Sequence, residues 1–127
     1  MEDQTSRQVE GYALVMTTVG SSDEADELAA TLVAQGLAAC VQLTPVVSHY
    51  VWEGEAHRST ETLLLIKTAA RRMADLRAHV EAHHPYDTPE LIEVPIVSGL
   101  PAYLRWIDQA VQPGAAGTTP SSEGSTP

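Results

Sequence analysis

Apolar and polar positions fall into blocks whose period switches along the chain, and the switches mark out successive elements. "GYALVMTTV" from Gly11 is a short run with β-branched and aromatic residues, the mark of a first strand. "SSDEADELAATLVAQG" then sets Ala25, Leu28, Ala29, Leu32 and Val33 at helical spacing. Ser21 or Ser22 caps this helix, acidic residues in its first turn suit the dipole, and Gly36 closes it. "LAACVQLTPVVSHYVWEGE" predicts a long second strand with a bulge or bend at Pro45, because proline cannot donate to a ladder. A hairpin turn is expected at Glu53–Glu55, and "STETLLLIKT" returns as the third strand. "AARRMADLRAHVEAHH" is a second helix with Met73, Leu76 and Val80 on one face, stopped by Pro85. "PELIEVPIVSG" predicts the fourth strand, and "LPAYLRWIDQAV" a short helix carrying Leu104, Ile107 and Val111 on one side.

The order β-α-β-β-α-β-α predicts an α+β fold. It is a ferredoxin-like βαββαβ sandwich, with an antiparallel sheet, helices on one face and a short C-terminal helix. Side-chain parity adds a constraint on assembly. A sheet covered on one face should alternate apolar and polar residues. Here Leu63 and Leu65 point one way, and Leu64 and Ile66 the other. Leu14 and Met16 likewise oppose Ala13 and Val15, and Ile92, Val94 and Ile96 oppose Leu91 and Val97. Two helices cover one face only, and the third helix is too short to cover the second. An oligomer built sheet face toward sheet face is expected.

Composition narrows the partners. Residues 1–9 and 112–127 are polar or rich in Pro, Gly, Ser and Thr, and are expected to be disordered around a domain at 10–111. With 17 Asp plus Glu against 7 Lys plus Arg, the net charge of -10 repels phosphate backbones, so nucleic acid is not expected as a partner. No apolar run reaches the ~20 residues of a membrane helix, and no leader pattern opens the chain. A cytoplasmic protein without a membrane partner is the default. Cys40 stands alone, and in an apolar strand it is expected to be a small core residue.

The candidate chemistry gathers around "HHPYDTPE", His83–Glu90. His79 and His83 lie four apart on one helix face, a spacing at which two imidazoles can chelate a divalent ion. His83 and His84 differ by ~100° around a regular helix. However, the proline after His84 pushes that residue out of helical geometry. Histidines at a helix C-terminus also serve the dipole and the last carbonyls, with no metal involved. On the third strand, Glu61 and Lys67 share a side but stand ~20 Å apart, too far to pair within one chain. No nucleophile elbow, P-loop or G-x-G-x-x-G is present, and nothing names a reaction.

"LAACVQL", "YVWEGE", the Glu61-to-Lys67 spacing, "HHPYDTPE" and "YLRWI", in that order, resemble the CutA family of divalent-cation tolerance proteins. The resemblance covers nearly all of residues 11–111. It implies a homotrimer of PII-like architecture, with sheets facing inward and the strand 2–strand 3 hairpin reaching toward a neighbour. It also implies an inter-subunit cleft gathering Tyr50, Trp52, Glu61, Lys67, His84, Tyr86, Glu90, Tyr103 and Trp106. The family is linked to the response to metal ions, copper first, without an established enzymatic reaction. No enzyme and no required cofactor are therefore expected. Copper ligation in some relatives joins paired histidines, matching His83 and His84, to a cysteine at the end of strand 1. This chain has Met16-Thr17-Thr18 there. A second reading is a PII-like module binding a small anion, with Lys67 as the charge and Trp52, Tyr86 and Trp106 as walls.

Overall fold

A computed structural model describes residues 11–112. The ends expected to be disordered, 1–9 and 112–127, lie outside the described residues apart from Gln112. The elements run β1 (Tyr12–Val19), α1 (Ser22–Ala34), β2 (Cys40–Trp52), β3 (Glu55–Ala69), α2 (Met73–His83), β4 (Ile92–Ile96) and α3 (Pro101–Ala110). A 3₁₀ turn at Ala70–Arg72 joins β3 to α2. The sheet is fully antiparallel in the order β2-β3-β1-β4, the ferredoxin-like arrangement. Ser21 caps α1 by accepting the Glu24 N–H at 3.2 Å.

The β2–β3 ladder is the longest feature, and its geometry follows from a tight turn. Glu53 and Gly54 both take positive φ, 52° and 80°, as a two-residue turn of the twist-matched type requires. Trp52 pairs with Glu55, and the register runs unbroken to Cys40 opposite Lys67. The third strand therefore starts at Glu55 rather than Ser59. Nor does Pro45 cause the bulge its chemistry predicts: it pairs directly with Thr62. β2 is an edge strand, where a residue without an N–H can sit with its nitrogen turned away from the ladder. The same edge position accommodates Pro95 in β4.

The helices α1 and α2 pack on one sheet face. Ala25, Leu28 and Leu32 meet Leu76 and Val80 over Ala13, Val15, Val19, Leu64 and Ile66, all buried. Val33, expected in the α1 stripe, is 45% exposed at its margin. α2 stops where proline dictates. His84 is extended at φ -77°, ψ 138°, and its N–H still reaches the Val80 carbonyl at 2.8 Å.

The opposite face follows the parity prediction on β1 and β3. On β4 the expected opposing pair, Leu91 and Val97, falls outside the strand, and Val97 is 93% exposed because the ladder ends at Ile96. Leu14, Met16, Leu63, Leu65, Ile92 and Val94 lie side by side on this opposite face in register. α3 shields one end of it: Ile107 and Val111 are buried, and Arg71 is ion-paired with Asp108. Beyond α3 the face is open, with Ile92 48% and Val94 39% exposed. Cys40 is half-buried on this side, opposite Lys67, rather than in the core.

Truncation on the two faces should therefore differ. Leu76→Ala, fully buried between helices and sheet, should lower unfolding free energy by about 2–5 kcal/mol in urea titrations. A loss below about 0.5 kcal/mol would contradict this packing.

Candidate functional site

The site begins where Pro85 ends α2. The extended backbone of His84 turns its ring toward β1, away from the helix. Its Nε2 lies 2.9 Å from the Thr18 carbonyl and 3.1 Å from the Thr17 hydroxyl. Its Nδ1 accepts the Tyr86 N–H at 3.1 Å. A carbonyl only accepts and a backbone N–H only donates, so the ring is neutral with its proton on Nε2. Burial lowers the His84 pKa, against the raising effects of the Thr18 carbonyl, Glu24 and Glu61.

Two residues on, the Tyr86 hydroxyl donates to Glu61 Oε2 at 2.7 Å, and the Tyr86 ring packs against His84 at 5.0 Å. Burial, then the Glu61 hydrogen bond and charge, raise the Tyr86 phenol above its ordinary pKa, so it remains a donor at neutral pH. Tyr50 stacks on His57 across the hairpin, with ring centroids 5.6 Å apart, and its hydroxyl is 2.9 Å from Ser59 Oγ. Tyr50, Trp52, His57, Glu61, Tyr86 and Glu90 line an open cleft of about 700 Å³, whereas His84, turned toward β1, is not part of its lining. That size suits a small molecule or an inserted side chain.

The remaining predicted residues gather elsewhere. Lys67 donates to Gln42 Oε1 at 2.7 Å and lies 5.8 Å from the centre of the Tyr103 ring, a cation–π geometry. Tyr103 in turn packs against Trp106 at 5.5 Å. The structure thus divides the predicted cleft residues between two ends of the same sheet face. Glu61 and Lys67 sit at opposite ends, six positions apart on β3.

A family model described as the CutA1 divalent ion tolerance protein matches residues 13–110. The chain belongs to this CutA1 family. The divalent-cation tolerance protein CutA of Archaeoglobus fulgidus is 38% identical over 101 residues, covering 80% of this chain and 99% of that protein. The CutA of Thermus thermophilus is 41% identical, covering 74% of this chain and 92% of its own length. The chloroplastic CutA of Arabidopsis thaliana is 39% identical, and the match spans 55% of that longer protein. Among solved structures, CutA1 from Oryza sativa superposes with a TM-score of 0.79 at 36% identity, covering 83% of this chain and 97% of that one. The Archaeoglobus structure, described as a periplasmic protein, gives 0.78 at 37% identity, covering 80% and 99%. Among the described residues of this CutA1 member, no helix is long and apolar enough to cross a membrane.

The donor chemistry bears on a metal at His83 and His84. His83 donates Nδ1–H to the His79 carbonyl at 2.8 Å, leaving its Nε2 lone pair free. In His84 both nitrogens are engaged within the chain. The two rings are held by different partners, and His84 reaches a metal only by giving up Thr18 or the Tyr86 N–H. No group of three or more His, Cys, Asp or Glu is placed to hold a metal among the described residues.

Sequence reasoning missed Thr17, Thr18 and His57. The two threonines lie near the end of an apolar strand and give no local signal of their contact with a residue 66 and 67 positions away. His57 was legible in principle. A turn centred on residues 53 and 54 places it opposite Tyr50.

His84 and His79 both have lowered pKa values, chiefly through burial, with His83 adding to the effect at His79. The unfolded chain therefore binds more protons than the folded one below about pH 6.5, so stability rises with pH there. This contribution is fully present above that value and is lost as pH falls toward the folded pKa. In EDTA, the urea midpoint should drop between about pH 7.5 and about pH 5.5, and less steeply in His79→Gln/His84→Gln. A midpoint that holds or rises on acidification would contradict the assignment.

Proposed function

We propose that this chain works as a homotrimeric divalent-cation tolerance protein in the cytoplasm, binding a cation such as copper rather than catalysing a reaction. One observation carries the assembly: the sheet face opposite α1 and α2 stays apolar and half-open beyond α3. Family membership points to the cation as ligand. Packing three such faces together would bury Leu14, Met16, Ile92 and Val94. The exposed hairpin arm, ending in Trp52 at 51% exposure, would then reach a neighbour. Such a seam is one way for the Glu61–Tyr86 end of one copy to approach the Lys67–Tyr103–Trp106 end of the next. It would bring opposite charge to Glu61 and Lys67, which have no ion-pair partner among the described residues.

For the cation, His83 is the first candidate ligand because its Nε2 lone pair is free. His84 is the second, on condition that it exchanges its Thr18 contact for the metal. The net charge of -10 favours cations near the surface. Calorimetric titration with Cu²⁺ and Zn²⁺ should show binding to the natural sequence and loss of affinity in the His83→Ala/His84→Ala double variant. Affinity should also fall on acidification, because only a neutral imidazole can ligate a metal. Equal affinity for both proteins would exclude these histidines.

A second reading is favoured by Lys67. Its ammonium is held by a neutral amide and an aromatic face, and among the described residues no carboxylate pairs with it. A small anion entering the seam would find that charge beside Tyr103 and Trp106, as in a PII-like module. A metabolite thermal-shift screen should then give a hit that Lys67→Ala abolishes. No hit, or one that survives the substitution, removes this reading.

A further inference from the structure

His79 and His83 lie one helical turn apart on α2, so both side chains rise from the same face. Their rings stack with centroids 4.2 Å apart and planes inclined by 26°. In each ring one nitrogen is held as a hydrogen-bond donor. The Thr31 hydroxyl gives its only proton to the Leu28 carbonyl at 3.0 Å, so it accepts from His79 Nε2–H at 3.1 Å. That leaves the lone pair of His79 on Nδ1. His83 Nδ1–H donates to the His79 carbonyl at 2.8 Å, which leaves the lone pair of His83 on Nε2.

Each imidazole thus keeps one unused lone pair, and the other nitrogen is oriented by a protein oxygen. At His79, whose Thr31 contact can persist with a metal on Nδ1, this is the outer-shell arrangement typical of metal-ligating histidines. A chelated ion needs each nitrogen at about 2.0–2.1 Å, so the two must lie within about 4 Å of each other. The rings lie face to face at rest, with their lone pairs in roughly parallel planes. Chelation therefore requires the exposed His83 ring to turn its Nε2 toward His79 Nδ1 and to exchange its bond to the His79 carbonyl for the metal. Glu24 and Glu27 of α1 share a cleft of about 240 Å³ with His83 and Thr31, adding negative charge beside His83. No third side-chain ligand is preformed among the described residues, so water completes the coordination.

We propose that His79 and His83 form a two-imidazole site on the helical face of the protomer for a transition-metal dication. Cu²⁺ is preferred to Zn²⁺, following the general order of divalent affinities. The site deepens the cation reading and rests on it for the class of ligand. The donor pair is a separate claim, because His84 takes no part and Thr31 acts as a positioning residue.

The test uses the full chain, stripped with EDTA and titrated with Cu²⁺ by competition calorimetry and electron paramagnetic resonance. The natural sequence should bind Cu²⁺ with a hyperfine pattern from two imidazole nitrogens. Because chelation makes the second bond intramolecular, His79→Gln and His83→Gln should each weaken binding at least about tenfold, while His84→Gln leaves it within about twofold. The His79→Gln side chain retains an N–H donor for Thr31, and position 83 is exposed. Urea midpoints of the metal-free variants should therefore stay close to that of the natural sequence. Undiminished Cu²⁺ affinity in His79→Gln overturns the proposal. If His83→Gln and His84→Gln weaken binding in that case, the cation reading stands and the ligands are the adjacent histidines. Failure of the natural sequence to bind Cu²⁺ overturns both.

Discussion

A four-stranded sheet with apolar side chains on both faces has more surface to bury than two helices can cover, and most of this molecule follows from that mismatch. Leu64 and Ile66 alternate with Leu63 and Leu65 along β3, so no rotation or slip of the strand hides both sets under α1 and α2. α1 and α2 satisfy the first set, and α3 shields only one end of the second. The remaining apolar positions, centred on Ile92 and Val94, stand ready for another surface. The candidate site inherits its division from the same geometry. Glu61 and Tyr86 mark one end of the incompletely covered face, and Lys67, Tyr103 and Trp106 the other.

The end of α2 shows how one proline shapes both the fold and the chemistry. Pro85 forces His84 into extended backbone, and that turn carries its ring onto the ends of Thr17 and Thr18. The contact is possible because Thr17 and Thr18 lie near the end of β1, at the point where the loop returns. Had the helix continued one more turn, His84 would have stayed on it and Tyr86 would have lost its approach to Glu61. His83, the last helical residue, stays with His79. Two adjacent histidines therefore serve two different surfaces of the protein.

The element order and the apolar stripes were legible because they depend on local period and on strong punctuation at Gly36 and Pro85. The parity of β3 also revealed the second apolar face. Legibility failed where the outcome depended on sheet position. Pro45 predicts a bulge only if its strand is internal, and strand order is not written in the local pattern. The hairpin extended to Glu55 because a turn with positive φ at Glu53 and Gly54 lets polar residues pair that show no strand pattern of their own. Among the site residues, Glu61 and Tyr86 were identified separately, but their hydrogen bond joins positions 25 apart. The separation of His83 from His84 followed from contacts with β1 and the helix backbone that spacing alone cannot supply.

Burial of the second apolar face by further copies of the chain is the claim on which the proposed seam rests. Sedimentation equilibrium of the full chain at micromolar concentration measures it directly. The expected mass is three times the 13.6 kDa of one chain, falling toward one chain when Ile92 and Val94 are both replaced by lysine. A natural sequence that sediments as a single chain would contradict it.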